Sequence, residues 1–567
     1  MATRVFISDP DRPSFLEQLY QGRFRWDILT GFPEQDERDR AIGDEVVAEL
    51  LELIDAKIDG DAVDREAALP DGFLPELAAR GFYRLQADPD VGGRALSQYN
   101  TYRVVQAAAS RCTPVALSIA LENALGAAPY LSVLPEGPLR DVVRAHVAAG
   151  RFSCSAETEP QGAANWRRQT VAERIPGSSD FLLTGEKVFV GHAPIADLII
   201  VSATVRDGGE EQIRRFFVDA DSPGVTAGAW HTYMGIRGFP NGWLRFDRVR
   251  VPAERMFGEA RIAHRVRQTP ASALLNMRGR LYLIGAPSQA VADLCCDWSR
   301  DFVRRRKIDG RGLGEYEEIR RRVAESLADR YAIDTVARWC LLPGDQDLPV
   351  NPRFEQNLAK NITSLLAWQV ADRTMSVLAA EGYETHDSKA ARGLPAEPVE
   401  RYLRDQRNLR ISGGVDFFID LGVALQSTLA FWYPPPEPGH AGEPPAEPAL
   451  TVRNNGHLRW VAAEVGRFGR ILGALTARYT REELSERERT VLLIGGFARE
   501  LLTCSLVLAR AAALARAGED SGQLPADVYC TSARHRVADL VRQVEDDSPA
   551  DFDGLATPWL DPEGTRA

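Results

Sequence analysis

The fold class is decided by four short runs in the middle of the chain: DFLLTGEKVFVG (residues 180–191), DLIIVSATV (197–205), IRRFFVDA (213–220) and WLRFDRVRVP (243–252). β-Branched and aromatic residues dominate these runs, and glycine, proline and aspartate separate them, as is typical of short strands. About five to seven strands at this spacing predict a small antiparallel β-barrel or sandwich. We place this β-domain at residues 151–262.

Helical periodicity flanks the β-domain on both sides, so the predicted fold class is α+β. A proline-rich run late in the chain has no apolar periodicity and predicts an extended linker. The predicted regions are, in order, an N-terminal extension (1–45), an N-terminal helical domain (46–150), the β-barrel domain (151–262), a helical bundle domain (263–432), the linker (433–454) and a C-terminal helical domain (455–567).

Composition and charge limit the classes of function. The net charge of −12 on 567 residues argues against nucleic acid as the main partner, because phosphate binding needs a basic surface. We find no run of about 18 uncharged apolar residues, so no membrane-spanning helix is expected. The seven cysteines include no CxxC pair, which predicts reduced thiols and a cytoplasmic location. The scattered histidines predict no metal site.

Five short motifs occur in an order that resembles the acyl-CoA dehydrogenase family. They are ETEP (157–160), LTGEK (183–187), MGIRG (234–238), FDRVRVP (246–252) and VERYLRD (399–405). The opening of the chain and its tail also resemble the very-long-chain branch. The resemblance implies a helical domain, an antiparallel β-barrel, a four-helix bundle and an extra C-terminal helical domain. It also implies FAD as the cofactor, an acyl-CoA or acyl carrier protein as the substrate, and a homodimer.

In that family a glutamate removes the α-proton of the acyl thioester while a hydride passes to the flavin. The positions at which family members carry this glutamate correspond here to Met277 and Gly413, which cannot accept a proton. Asp416 is one substitute candidate, with a helix N-cap as the alternative interpretation. Glu122 is another, on a helix that the resemblance places at the acyl pocket. The alternative for Glu122 is a solvent-facing helix residue.

The residues that the resemblance places at the flavin have lost several hydroxyl groups. The predicted cofactor-binding residues are Glu157, Thr158, Phe189, Val190, Gly191, Arg306, Gly382 and Gly414. A flavin-contacting threonine and serine of the family correspond to Gly191 and Ala164. Each lost hydroxyl removes about 1 kcal/mol of net hydrogen bonding. Backbone donors near the ETEP motif and the aromatic ring of Phe189 are still suited to hold a ring system.

Arg278 and Asn123 are the predicted substrate-binding residues. Arg278 corresponds to an arginine that contacts the pantetheine or phosphate region in the family. Its alternative interpretation is a surface arginine in a basic group with Arg280. Arg404 and Asp405 are expected to form a structural ion pair rather than to catalyse.

Three functions remain open on the sequence. The first is an atypical FAD enzyme of specialised metabolism that acts on an acyl thioester, with a relocated base or with chemistry that needs no ordinary α-proton abstraction. The second is a flavin-dependent monooxygenase or oxidase, because one fold supports several chemistries. The third is an FAD-free, non-catalytic family member, which the lost hydroxyl groups motivate.

Overall fold

The computed structural model describes residues 11–165, 167–207, 210–228, 231–263, 266–267, 272–436, 446–546 and 550–561. Within these residues, a β-sheet stands between helices that precede it and helices that follow it in the chain. The predicted order of a helical region, a β-region and further helical regions is therefore confirmed.

The first helical region contains one helix of 21 residues, α3, and several shorter ones. Its helices are α1 (Phe15–Tyr20), α2 (Trp26–Leu29), α3 (Glu37–Lys57), α4 (Gly60–Glu66), α5 (Phe73–Ala79), α6 (Gln98–Ala109), α7 (Thr113–Ala124) and α8 (Pro138–Ala148). The carboxylate of Asp36 caps α3 by accepting from the amides of Arg38 and Asp39. Because α3 runs through residues 45 and 46, no break separates the predicted N-terminal extension from the helical domain.

The sheet is built around two long antiparallel pairs. Its strands are β1 (Ser153–Ala156), β2 (Val171–Arg174), β3 (Phe181–Gly191), β4 (Leu198–Asp207), β5 (Glu210–Asp219), β6 (Val225–Ala227), β7 (Asn241–Val251), β8 (Met256–Ala263) and β9 (Val266–Arg267). Strand β3 pairs with β7, and β4 pairs with β5 over its whole length. A buried ion pair between Lys187 of β3 and Glu159, with Nζ and Oε1 2.9 Å apart, joins the ETEP and LTGEK motifs.

The predicted α+β fold with a central β-domain is confirmed, but the sheet is mixed and not wholly antiparallel. Its strands follow the order β6-β7-β3-β2-β4-β5-β8-β9, with β1 beside β4, and within the described residues β6 and β9 do not pair. Both β1 and β2 run parallel to β4. Parallel neighbours need a crossover connection rather than a tight turn, and a local residue pattern does not show which distant strands pair. Strand β8 runs through residue 262, so the predicted boundary falls within a strand.

A helical bundle follows the sheet. Its elements are α9 (Ser272–Arg280), a π-helical turn (Leu281–Gly285), α10 (Ala286–Arg305), a hairpin of β10 (Lys307–Ile308) and β11 (Arg311–Gly312), α11 (Glu317–Asp345), α12 (Arg353–Leu378), α13 (Ala380–Tyr383), α14 (His386–Ala391), α15 (Val399–Leu409) and α16 (Asp416–Phe431). Helix α12 is the central element, since α10, α11, α15 and α16 all pack against it.

The C-terminal region is helical, as predicted. Its helices are α17 (Val452–Arg478), α18 (Arg481–Ser485), α19 (Glu488–Arg516), α20 (Gln523–Val544) and α21 (Phe552–Leu560). Helix α17 begins at Val452 rather than at residue 455, and residues 437–445 of the predicted linker lie outside the described part. Among the described helices, α19 alone is long and apolar enough to cross a membrane, but 83% of its apolar stretch is buried within the protein. Such burial is typical of a core helix.

Candidate functional site

The helical region, the sheet and the bundle meet in one apolar cluster, which we call the three-region junction. It consists of Leu117 and Leu121 from α7, Ile236 and Phe239 from the loop before β7, Ile284 from the π-helical turn and Leu409 at the end of α15. All six side chains are buried. An apolar wall shared by three regions is the kind of place in which a small-molecule site is usually found.

The MGIRG turn docks the sheet onto α15. The amide of Ile236 donates to Asp405 Oδ1, and Arg404 Nη1 donates to the carbonyl of Met234 at 2.7 Å. The predicted ion pair between Arg404 and Asp405 is wrong, because Arg404 pairs instead with Asp64 at 2.6 Å. Burial raises the pKa of Asp405 above its ordinary value, while its bond to the Ile236 amide opposes that rise. Both side chains therefore position the loop that supplies part of the junction.

Phe189 presents an exposed aromatic ring two residues before Gly191, and this ring also contacts the ring of His231, with centroids 4.8 Å apart. Phe189 lies within β3, its backbone is left-handed with φ of 56°, and its side chain is 60% exposed. The amide of the preceding Val188 donates to the carbonyl of Thr158 at 2.9 Å, so Thr158 lies alongside. The half-buried Thr158 hydroxyl has no hydrogen-bond partner among the described residues. An exposed ring and an unpaired hydroxyl on one edge fit one face and the polar rim of a flavin.

The packing around Gly191 leaves no room for the threonine hydroxyl that the resemblance places at the flavin. A Cβ atom at this position would lie 2.5 Å from Leu121 Cδ1 and 2.9 Å from Phe239 Cζ. A threonine would therefore displace two members of the three-region junction. The side chain of the adjacent Val190 is buried in the core of the sheet and does not face the junction.

Glu157 is held by two arginines. Its carboxylate lies 3.1 Å from Arg168 and 3.4 Å from Arg215. Burial works against ionisation, but the two guanidinium groups hold the pKa of Glu157 at about 2. Any cofactor contact from this residue would come from an ionised carboxylate that already has cationic partners.

Glu122 is buried within a polar network, so its alternative interpretation as a solvent-facing residue is wrong. Its side chain is 3% exposed. Its oxygens accept from the Ser153 amide at 2.8 Å, from the Ser153 hydroxyl at 2.5 Å, and lie 3.0 Å from His192 Nδ1. His192 Nε2 in turn lies 2.7 Å from Ser118 Oγ, and Ser118 is bonded to Tyr83. Both oxygens of the Glu122 carboxylate are therefore already engaged by other groups of the protein.

The sequence analysis missed His192, Ser118 and Ser153. His192 comes directly after strand β3, and only the strand pairing places its ring between Ser118 and Glu122. The hydrophobic surroundings of Ser118 on α7 offered one hint, because a buried hydroxyl needs a partner.

The carboxylate of Asp416 is also bonded to another side chain of the protein. It is the first residue of α16, after the N-cap Val415, so the predicted N-cap is displaced by one residue. Its Oδ2 accepts from Arg410 Nε at 2.8 Å and Nη2 at 2.5 Å. Burial would raise its pKa, but Arg410 and the amide of Phe417 hold the pKa of Asp416 below its ordinary value.

Lys360 braces the loop that contains the position of the family's late glutamate. Its ammonium group donates to the carbonyls of Arg410 and Gly414, at 2.8 and 2.7 Å. Gly413 and Gly414 both have positive φ, 69° and 110°. Burial lowers the pKa of Lys360 to about 7, and the charge of Arg280 acts in the same direction.

The substrate-side predictions have mixed outcomes. Asn123 donates both amide hydrogens, to the carbonyls of Phe82 and Ile119, and accepts from the Leu85 amide, each at 2.8 Å. It therefore braces the helical region instead of facing a substrate, contrary to the prediction. Met277 and Arg278 are partly buried in α9, and the positive charge of Arg278 acts to lower the pKa of Asp345.

The remaining predicted cofactor residues lie in the bundle. Arg306 is exposed at the end of α10, where the hairpin begins. Gly382 is buried in α13, and a Cβ there would lie 2.9 Å from the Met375 carbonyl. Their contact with a cofactor remains a prediction.

Comparison with known proteins agrees with this geometry. The sequence of the acyl-CoA dehydrogenase middle domain matches residues 154–249, and that of the acyl-CoA dehydrogenase C-terminal domain matches residues 272–417. The probable acyl-CoA dehydrogenase FadE10 of Mycobacterium tuberculosis is 30% identical over 74% of this chain and 64% of that protein. Human mitochondrial very long-chain specific acyl-CoA dehydrogenase is 23% identical over 75% of this chain and 64% of that protein.

A solved structure extends the likeness to the tail. The acyl-CoA dehydrogenase of Bacillus anthracis, complexed with FAD, superimposes with a TM-score of 0.73 at 16% identity, over 95% of this chain and 94% of that one. This likeness shows a shared fold that includes the extra C-terminal helices. The matched part of the chain spans 64% of the length of the FadE10 relative.

The fold and the two domain matches define the class: the middle and C-terminal regions of this chain belong to the acyl-CoA dehydrogenase family. Within it, the relatives include FadE10 and very long-chain specific enzymes, which confirms the resemblance drawn from the motifs.

Proposed function

We propose that this chain is a flavin-dependent oxidoreductase that acts on an acyl thioester, carried by coenzyme A or by a carrier protein. The observation that carries the proposal is the three-region junction, with the open ring of Phe189 and the unpaired hydroxyl of Thr158 at its edge. The relatives are named as acyl-CoA dehydrogenases, and one of their structures holds FAD.

The residues divide the work between cofactor and substrate. Phe189 would stack on the isoalloxazine ring of FAD, and Thr158 would bond its polar rim. When bound, FAD supplies a hydride acceptor. The apolar side chains of the junction would bind the acyl chain and exclude water from the reacting carbons. Arg306 is proposed to reach the FAD of the partner subunit in a homodimer, and Gly382 is proposed to lie near the FAD pyrophosphate.

The chemistry is proposed to differ from routine β-oxidation. Met277 and Gly413 have no carboxylate, Glu122 is enclosed in its network, and Asp416 is paired with Arg410. No carboxylate at these four described positions is free to accept an α-proton. This favours a specialised substrate, whose α-proton leaves by another route, and we propose a cytoplasmic enzyme of specialised metabolism.

One observation favours a second candidate, a family member without FAD. The packing of Leu121 and Phe239 against Gly191 excludes the hydroxyl that usually faces a flavin. Such a protein would bind acyl thioesters without oxidising them.

Visible absorbance of the purified protein distinguishes the two candidates. The flavoprotein proposal predicts a yellow protein with about one flavin per chain, bleached anaerobically by a suitable acyl thioester. Phe189→Ala should raise the dissociation constant of FAD about fivefold to tenfold through loss of stacking. Phe552→Ala, which removes an exposed ring on α21, is the matched control and should leave FAD binding unchanged. A colourless protein that takes up no added FAD would refute the flavoprotein proposal and support the second candidate.

A further inference from the structure

Arg280 lies at the place where the family's late glutamate is missing. It is the last residue of α9, one residue before the π-helical turn that carries Ile284. A Cβ atom on Gly413 would lie 3.7 Å from Arg280 Cγ and 3.8 Å from Ile284 Cγ1, which are ordinary contact distances. The space that a side chain at 413 would fill is therefore bounded by an arginine on one side and by a member of the three-region junction on the other.

Arg280 has no anionic partner in the described part of the chain. No hydrogen bond or ion pair of its guanidinium is formed there, although the side chain is only partly exposed. Burial lowers its pKa from the ordinary value for arginine, which reflects the cost of holding an unpaired charge away from water. Most arginines in this protein are instead paired with a carboxylate, as Arg404, Arg410 and Arg536 are.

The charges around this position are predominantly positive. Lys360 lies behind the loop and donates to the carbonyls of Arg410 and Gly414. The two nearby carboxylates are already used, because Asp416 pairs with Arg410 and Asp420 pairs with Arg499. An uncharged acyl chain would leave the Arg280 charge uncompensated when it displaced water from the junction, whereas an anionic group would neutralise it.

We propose that the acyl group of the substrate carries a carboxylate, and that Arg280 binds this carboxylate in the space over Gly413. The inference rests on the proposed function, since it names the class of thioester that the same site takes. The planar guanidinium can donate two parallel hydrogen bonds to a carboxylate. In this arrangement, a negative charge lies near the position that the family's glutamate would occupy. The substrate supplies this charge instead of the protein.

Binding of paired thioesters tests the inference. Isothermal titration of the full chain, in the cofactor state in which it is purified, would compare CoA thioesters of equal carbon number that end in a methyl group or in a carboxylate, over a series of chain lengths. At the best length, the carboxylate should bind about tenfold or more tightly than the methyl partner. Arg280→Gln should abolish this preference, because the carboxylate-ended thioester loses affinity while the methyl-ended thioester binds at least as tightly as before. Arg459→Gln removes an exposed arginine on α17 and should preserve the preference.

The outcomes separate the two proposals. Equal binding of both thioesters by the unmodified chain, or a preference that survives Arg280→Gln, overturns the carboxylate inference while thioester binding stands. Binding of neither thioester overturns the proposed function and the inference with it. Binding of free CoA is measured as a further control. If Arg280→Gln lowers the affinity for free CoA as much as the affinity for the carboxylated thioester, the arginine binds a CoA phosphate and the inference is wrong.

Discussion

At the scale of single residues, the buried carboxylate of Glu122 is held in a polar network between two regions of the chain. Glu122 faces Ser153 and His192, and its two oxygens are bonded. Its network joins α7 of the helical region to strands β1 and β3 of the sheet. The residue therefore links two regions whose relative position shapes the three-region junction.

Replacement of Glu122 by glutamine tests this structural role. Glu122→Gln keeps the shape but removes the charge that strengthens the bonds to Ser153 and His192, so the free energy of unfolding should fall by about 3 kcal/mol. Urea denaturation followed by circular dichroism measures it. Glu52→Gln, at an exposed position on α3, is the control and should change little. A loss of turnover of about a hundredfold with unchanged stability would instead identify Glu122 as the base.

At the scale of elements, the loop between α15 and α16 shows how two glycines and a buried lysine form a braced turn. Gly413 and Gly414 adopt positive φ, which glycine allows at little cost. Lys360 of α12 then anchors the loop from behind by donating to two of its carbonyls. A glutamate at 413 would be strained by this backbone and would face Arg280.

Alanine substitutions measure the backbone requirement of this loop. Gly413→Ala should lower the free energy of unfolding by about 1 kcal/mol or more, because φ of 69° is unfavourable for a residue with a Cβ. Gly422→Ala is the matched control in α16, where a Cβ meets nothing within 4 Å. It should raise stability by about 0.5–1 kcal/mol, since alanine favours helix. Equal effects of the two changes would contradict the proposed strain.

At the scale of the whole molecule, the N-terminal segment ties the bundle to the C-terminal helices. Ser14 Oγ and the Leu16 amide donate to Glu355 of α12, at 3.0 and 3.1 Å. The Trp432 indole donates to the Tyr20 carbonyl at 2.8 Å, and the ring of Tyr20 packs edge-on against Phe468 of α17. Residues far apart in the chain thus share one core.

The stability that this connection contributes should depend on pH, because it involves the buried carboxyl group of Glu355. Burial raises its pKa to about 7, above the unfolded value, so the folded state holds a proton that the unfolded state releases at lower pH. The stability that this proton contributes is complete at acidic pH and is lost as the pH rises through about 7. Glu355→Gln has no proton to lose, so its stability relative to the unmodified chain should rise by about 3 kcal/mol between pH 5 and pH 9.

Thermal unfolding across that pH range is the measurement. The Glu52→Gln variant, with its carboxylate exposed on α3, should follow the unmodified chain at every pH. Parallel curves for Glu355→Gln and the unmodified chain would show that Glu355 is ionised in the folded protein throughout.

The sequence by itself determined the order of regions and the family. Strands and helices follow from local periodicity and propensity, and the five motifs keep their spacing whatever the rest of the chain does. The sequence also shows that residues 277 and 413 are methionine and glycine, while their correspondence to the family's catalytic positions remains a prediction.

Only the tertiary structure decided which side chains meet. The parallel pairing of β1 and β2 with β4, the burial of Glu122, the use of Asn123 by backbone groups and the isolation of Arg280 all depend on contacts between residues distant in sequence. A local pattern reports the conformation of a segment, whereas the partners of a charge or a strand are chosen by long-range packing.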